Sequence, residues 1–235
     1  MEFEELEKLF NFLDKMSFGE QVSRKDQIKY DKAFEELKKK VEIRNKFIVE
    51  TESFKNVIFG AFKNGAKYLK VHLIEDDLGV NIGLSFCKEG VQENGTVDND
   101  LEFFWTINNN QLVATKRNDF KEYKTRFNTT TLLSVNVHTK KMNTEYVKFD
   151  IDDVLRYIIK NLLSNVFVIK GIMFNQFVFK DYDHVNPKMN DRIGISVHTL
   201  LEEVQDPIEE VSNHVEKNTD TSVVSIGYDF GTVYP

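Results

Sequence analysis

One short segment, DYDHVNPKMNDR, places carboxylates and an imidazole directly after a stretch rich in Phe and Val. Its candidate catalytic residues are Asp181, Asp183, His184 and Asp191. Carboxylates and imidazoles hold divalent metals, and a bound metal can activate water for phosphoester hydrolysis. The spacing matches neither an EF-hand nor a zincin, and Asp, Asn and Pro are also the residues of ordinary turns. We therefore expect a turn with no metal or cofactor, and keep a metal-dependent hydrolase as the alternative.

A second segment, residues 115–127, mixes basic with aromatic residues and is a candidate binding site. Its candidate binding residues are Lys116, Arg117, Lys121, Tyr123 and Lys124. Basic side chains can contact phosphates while exposed rings stack on bases, as in proteins that hold single-stranded nucleic acid. However, Phe120, Tyr123 and Phe127 also have the spacing of a helix that packs on a sheet and leaves its cations in water. We favour this packing helix, with nucleic acid or an acidic protein as the partner in the alternative interpretation.

The histidines outside the first segment and the single cysteine show no spacing typical of a zinc site or a catalytic nucleophile. Strand alternation places His72 and His138 on polar faces. His198 and His214 fall near acidic helical segments, so we expect them to be partly exposed. Cys87 lies in the strand-like VNIGLSFCK, where the expected role is that of a small buried side chain.

Charge is distributed unevenly along the chain. The net charge is −7, yet residues 1–149 contain 24 Lys and Arg against 24 Asp and Glu, whereas residues 150–235 contain 7 against 14. The candidate acidic binding residues, which we expect on the solvent side of helices, are Glu202, Glu203, Glu209 and Glu210. The acid excess disfavours general binding to nucleic acid or anionic membrane and predicts a protein partner with a basic surface.

The most regular element is a predicted helix over residues 150–165. Apolar residues recur at helical spacing as Ile151, Val154, Leu155, Ile158, Ile159, Leu162 and Leu163. Asp150 is a suitable N-cap, and Asp152 and Asp153 follow it in the first turn, where negative charge is favourable. This pattern predicts a core helix that buries the side of Val154 and Ile158.

Helices are also predicted over residues 2–16, from Arg24, over residues 53–64 and from Asp206. Alternating segments predict up to six strands before the 150–165 helix: KYLKVHLI, VNIGLSF, LEFFWTIN, QLVAT, TTLLSVNVH and TEYVKF. The first two and the last two are predicted to form hairpins, and an Asn-rich turn joins the third strand to the fourth. A strand pair is expected over residues 166–179 and a further strand near the C-terminus. The sequence shows no internal repeat.

Together these elements predict an α+β fold, with a mainly antiparallel sheet packed by helices and an N-terminal helical layer. We expect an N-terminal helical region over residues 1–65 and an α+β domain over residues 66–235, or one continuous domain. The N-terminus lacks a signal-peptide pattern, and no apolar run is long enough to span a membrane. We therefore expect a cytoplasmic protein with no membrane partner.

Three functional hypotheses follow from these patterns. The leading hypothesis is a non-enzymatic regulator or inhibitor that presents an acidic C-terminal face to a basic site on another protein, as inhibitors that mimic DNA do. An origin in a phage or another mobile element would suit such an inhibitor. The alternatives are the metal-dependent hydrolase and a self-associating structural or assembly protein.

Overall fold

The computed structural model describes residues 24–88, 100–162, 167–180, 187–203, 222–224 and 232–234. Within these ranges the helices are α1 Arg24–Lys38, α2 Thr51–Lys63, α3 Arg117–Thr129, α4 Thr131–Thr139 and α5 Ile151–Leu162. The strands are β1 Lys46–Glu50, β2 Tyr68–Asp76, β3 Gly79–Cys87, β4 Asp100–Asn108, β5 Gln111–Thr115, β6 Tyr146–Asp150, β7 Phe167–Val178, β8 Ile193–Glu203, β9 Ser222–Val224 and β10 Thr232–Tyr234.

The expected α+β class is confirmed, and the N-terminal helices from Arg24 onwards are present as α1 and α2. The helices expected over residues 2–16 and from Asp206 lie outside the described residues. The boundary between residues 1–65 and residues 66–235 stays a prediction. No helix in the described ranges combines the length and the apolar character that crossing a membrane requires.

The strands form two sheets, ordered β1-β7-β8-β9 and β10-β6-β2-β3-β4-β5. Every pairing between the described strands is antiparallel, as expected. Tight turns favour this arrangement, because a two-residue connection can join only antiparallel neighbours. Between β4 and β5 the turn residues Asn109 and Asn110 have positive φ values of 48° and 61°, which asparagine tolerates better than most residues.

The two sheets share one hydrophobic core with α2 and α5. Phe54 of α2 meets Phe174 of β7 edge-on, with ring centroids 5.8 Å apart. On α5 the side chains of Val154, Leu155 and Ile158 are buried. The prediction of a core helix is therefore confirmed on this side, while the side chain of Leu162 lies outside the described part of the structure.

The order of elements repeats within the chain. The strands β1 and β6 begin at Lys46 and Tyr146, each has 5 residues, and each runs directly into a helix of 13 or 12 residues, α2 or α5. Each helix is followed by a long antiparallel strand pair, β2–β3 or β7–β8. The first repeat is thus β1–α2–β2–β3 and the second is β6–α5–β7–β8. The short strand of each repeat pairs with the long strand pair of the other, because β1 pairs with β7 and β6 pairs with β2. The sequence does not reveal this repeat because the halves share spacing rather than residue types: Phe54 of α2 corresponds to Val154 of α5.

A further helix packs against each sheet, α1 against β7 and α3 against β2. On β7, Tyr30 of α1 stacks on Phe177 with ring centroids 5.4 Å apart. On β2 and its neighbours, Phe120 of α3 lies against Phe104, with 4.8 Å between centroids. Gly83 of β3 permits this contact, since a Cβ there would lie 2.5 Å from Cε2 of Phe120.

The prediction for TTLLSVNVH is wrong, because this segment forms helix α4 and not a strand. Leu133, Val135 and Val137 alternate with polar residues as in a strand, but Leu132 and Val135 have helical spacing and are the buried pair. Burial of that pair decides the local conformation. TEYVKF contains β6, as a strand was predicted there, but β6 pairs with β2 and β10 instead of with this segment.

Two further strands differ from the sequence-based expectation: β7 was expected to be a strand pair, and β1 was not predicted. The residues after α5 form one long strand, β7, rather than a strand pair, and a register irregularity lies between Ile169 and Gly171. The sequence also does not predict β1, because five residues between two helices are too few to show a clear alternation.

Candidate partner-binding surfaces

The basic segment 115–127 forms helix α3 over most of its length, which confirms the packing interpretation. Phe120 and Phe127 are buried, so their rings are not available to stack on a ligand. Tyr123 is half-buried, and the guanidinium carbon of Arg126 lies 5.7 Å from its ring centroid. The fully or partly exposed cations among the predicted binding residues are Lys116, Arg117, Lys121 and Lys124. Binding of nucleic acid or an acidic protein by these cations stays a prediction.

His72 lies on a polar face of β2 together with Lys70, as predicted, but this face is buried and not exposed. Its side chain is 1% exposed, because α3 packs on that face of β2. A hydrogen bond of 2.8 Å joins His72 Nε2 and Ser85 Oγ, and the imidazole meets Phe120 edge-on with centroids 5.3 Å apart. Burial, reinforced by the charges of Lys124 and Lys70, holds the pKa of His72 well below its usual range. His72 is therefore a neutral interior side chain at pH 7.

A second buried pair lies in the other sheet. A hydrogen bond of 2.8 Å joins Ser196 Oγ and His198 Nε2. His198 is 0% exposed and not partly exposed near a helix as predicted, because β8 continues through this segment between β7 and β9. Each histidine thus gives a buried serine a hydrogen-bond partner, as interior polar groups require. His138 is exposed near the end of α4, and His214 lies outside the described residues.

Asp191 occupies the turn that leads into β8. It has a φ of 66°, its backbone N–H donates to the carbonyl of Phe179 at 2.9 Å, and its carboxylate pairs with Lys180. Asp191 therefore has the turn role that its sequence context favours. The other candidate catalytic residues, Asp181, Asp183 and His184, lie outside the described ranges. Within those ranges, no three side chains of His, Cys, Asp or Glu come close enough to share a metal ion.

The predicted acidic face is only partly located by the structure. Glu202 and Glu203 lie in strand β8, so their placement on a helix is wrong. The strand extends to Glu203 because β8 pairs with β7 as far as that residue. Glu209 and Glu210 lie outside the described residues.

The start of α5 is an exposed acidic surface within the C-terminal third. Asp150 and Asp152 are exposed, and the backbone N–H of Asp152 donates to Asp150 Oδ1 at 2.9 Å. Burial and the negative charge of Asp150 raise the pKa of Asp153. The acids here both begin the helix and concentrate negative charge at its N-terminus.

An apolar strip on α4, formed by Leu133, Val137 and Met142, is the surface that sequence reasoning missed. Leu133 and Val137 are 56% and 72% exposed, and Met142, just beyond the helix, is 68% exposed. The same helix buries Leu132 and Val135 on its other side. The sequence does place Leu133 and Val137 one helical turn apart, as expected for one side of a helix. When the segment is interpreted as a strand, however, both residues are assigned to the core.

A basic cleft of about 360 Å³ lies beside the strip, lined by residues from the ends of α1 and α4 and by Val178, Lys180 and Asp191. Its apolar lining consists of Ala33, Leu37 and Val178, and its charged or titratable lining of Glu36, Lys40, His138, Lys140, Lys180 and Asp191. Both carboxylates already have lysine partners, since Glu36 pairs with Lys39 at 2.6 Å and Asp191 pairs with Lys180. The exposed Lys40 and Lys140 therefore give the cleft a positive character.

Replacing Leu133 and Val137 with glutamine is expected to change the free energy of unfolding by no more than about 0.5 kcal/mol each, because both side chains are exposed. Replacing the buried Leu132 with alanine is expected to lower it by about 2 to 5 kcal/mol. Urea unfolding followed by circular dichroism measures both effects. Equal losses at the two sites would show that α4 buries both of its sides.

No protein family matches the chain, and no curated protein or solved structure matches it either.

Proposed function

We propose that this protein is a non-enzymatic regulator or inhibitor that binds a basic surface of another protein. The observation that carries the proposal is the charge partition, with 14 Asp and Glu against 7 Lys and Arg in residues 150–235 and a balanced charge in residues 1–149. An acidic surface steers a basic partner into place and can occupy a site built for nucleic acid. We place its action in the cytoplasm, and an origin in a phage or other mobile element suits this role.

The roles of several chemistry-bearing side chains support binding over catalysis. His72 and His198 are buried and hydrogen-bonded to serines within the sheets. Asp191 closes a turn and pairs with Lys180. Each of these groups thus has a structural task, whereas Asp150 and Asp152 at the start of α5 are exposed to solvent.

Raising salt from low to physiological concentration is expected to slow association with the partner by about tenfold, because steering acts on the encounter between charged surfaces. The off-rate should change much less. Reversing Glu209 and Glu210 to lysine should slow association in the same way. Surface plasmon resonance with a partner recovered by affinity capture measures both rates.

The matched control reverses two exposed cations of α3, with Lys116→Glu and Lys121→Glu. This variant should associate with a basic partner at least as fast as the unaltered protein. If it loses binding while the acidic variant keeps it, the binding face is the basic side of α3. The partner would then be an acidic protein or a nucleic acid, against the proposal.

Thermal unfolding is expected to be unchanged by Mg²⁺, Mn²⁺, Zn²⁺ or EDTA, because the spacing around Asp183 is not that of a known metal site. Differential scanning fluorimetry gives the melting temperature under each condition. A metal-dependent rise that Asp183→Asn abolishes would support the metal-dependent hydrolase instead of the binding protein.

A further inference from the structure

The residue types of α4 are not explained by the fold of the described residues. Leu132 and Val135 supply its contact with the core, yet Leu133 and Val137 are also apolar and lie more than half exposed. Single exposed apolar residues are common, but here two are one turn apart, and Met142, just beyond the helix, is exposed as well. An apolar surface of this kind is typical of helices that contact a partner.

The residue after α4 is unusual for its conformation. Lys140 is the C-cap and is left-handed, with a φ of 56° and a ψ of 29°. Glycine is the common residue in this conformation at a helix end, because it has no Cβ and is not strained there. The backbone conformation therefore does not explain why residue 140 is a lysine. Lys140 lines the basic cleft together with Lys40.

The strip and the cleft are adjacent, since α4 carries the first and its last residues line the second. The carboxylates of the cleft are paired with Lys39 and Lys180, and the exposed Lys141 adds another cation beside Met142. The combined surface is apolar on one side and positive on the other. It complements a segment that carries apolar and acidic side chains together.

We propose that the apolar strip and the basic cleft together form a docking site for an acidic amphipathic segment of another protein. The apolar residues of that segment cover Leu133, Val137 and Met142, and its carboxylates pair with Lys40 and Lys140. This surface has the opposite charge to the acidic C-terminal third. It therefore goes beyond the proposed function, and a failure to find a basic partner would leave it standing.

A random 16-residue peptide library displayed on phage, selected against the full chain, tests the docking site directly. Enriched peptides should combine several Asp or Glu residues with apolar residues at helical spacing. The affinity of a synthetic enriched peptide is then measured by fluorescence anisotropy. Leu133→Gln with Val137→Gln, and separately Lys140→Gly, should each weaken binding by about tenfold or more, as expected for central contacts of an interface.

Lys140→Gly is the sharper variant, because glycine suits the left-handed backbone and should not lower the melting temperature. Lys63→Gln, which removes an exposed lysine from the end of α2, is the matched control and should bind the peptide unchanged. The proposal is overturned if no peptide is enriched, if enriched peptides lack acids, or if the α4 variants bind normally. Sedimentation showing a dimer that Leu133→Gln with Val137→Gln dissociates would make a second copy the occupant, which also overturns it.

Discussion

Replacing Ile158 with alanine is expected to lower the free energy of unfolding by about 2 to 5 kcal/mol. Its side chain is 1% exposed on α5 and belongs to the core that both sheets share. The loss combines the transfer of apolar atoms into water with the cavity left among partners that cannot fully collapse. Urea unfolding, followed by circular dichroism and by the fluorescence of Trp105, gives the free energy and shows whether both probes report one transition.

The same prediction applies to α2, because α2 and α5 occupy equivalent positions in the repeated order of elements. Ile58 is 0% exposed and occupies the position in α2 that Ile158 occupies in α5. Ile58→Ala should therefore produce a loss of similar size. Ile159→Ala is the control, because Ile159 is 37% exposed and its truncation should cost much less. If Ile158→Ala changes stability by less than about 0.5 kcal/mol, α5 is not a core helix.

Introducing valine at Gly83 is expected to destabilise the protein by about 1 to 3 kcal/mol through overpacking. The first added atom, Cβ, would lie 2.5 Å from Phe120 Cε2 and 2.8 Å from its Cζ. Phe120→Ala removes the obstructing ring, at a cost of about 3 to 5 kcal/mol when made alone. The double variant should be more stable than the sum of the single losses predicts, with a coupling of about 0.5 to 3 kcal/mol.

Gly60→Ala is the matched control for the glycine change. Gly60 lies within α2, and a Cβ there would meet no atom within 4 Å. This substitution should stabilise the protein by roughly 0.5 to 1 kcal/mol, because alanine favours the helix. Additive losses for Gly83→Val and Phe120→Ala would contradict the close packing of α3 on the sheet.

Local pattern was sufficient where an element buries one side along its whole length. Helix α5 follows from its apolar stripe, and α3 from the spacing of Phe120 and Phe127. The β2–β3 and β4–β5 hairpins follow from alternation around short polar turns. In these elements propensity, periodicity and burial agree, so sequence reasoning reaches the correct structure.

Local pattern failed where a distant partner decides the structure. Nothing near β1 indicates that its partner is β7, more than a hundred residues later in the chain. His72 and His198 have the polar character of exposed positions, but packing of other elements over them makes them interior. Strand alternation gives the face of a residue and not what covers that face.

The candidate surfaces show the same limit in another form. The sequence predicts the exposed basic side of α3, because the charged residues of a helix that packs on a sheet are expected to face water. The apolar strip was missed because Leu133 and Val137 look like core residues until the helix of α4 places them in solvent. An apolar binding surface on a helix is recognised only when the segment is known to be helical and its apolar side chains are known to be exposed, and the sequence alone shows neither.

Affinity capture from the cells that make this protein tests protein binding most directly. The full chain, the variant with Glu209→Lys and Glu210→Lys, and the variant with Lys116→Glu and Lys121→Glu are used as bait in parallel, each with and without nuclease treatment. We predict that one basic protein is retained by the full chain and by the α3 variant, is reduced with the acidic variant, and binds again when both proteins are purified. Retention of nucleic acid alone, or of no protein that rebinds after purification, would contradict this account.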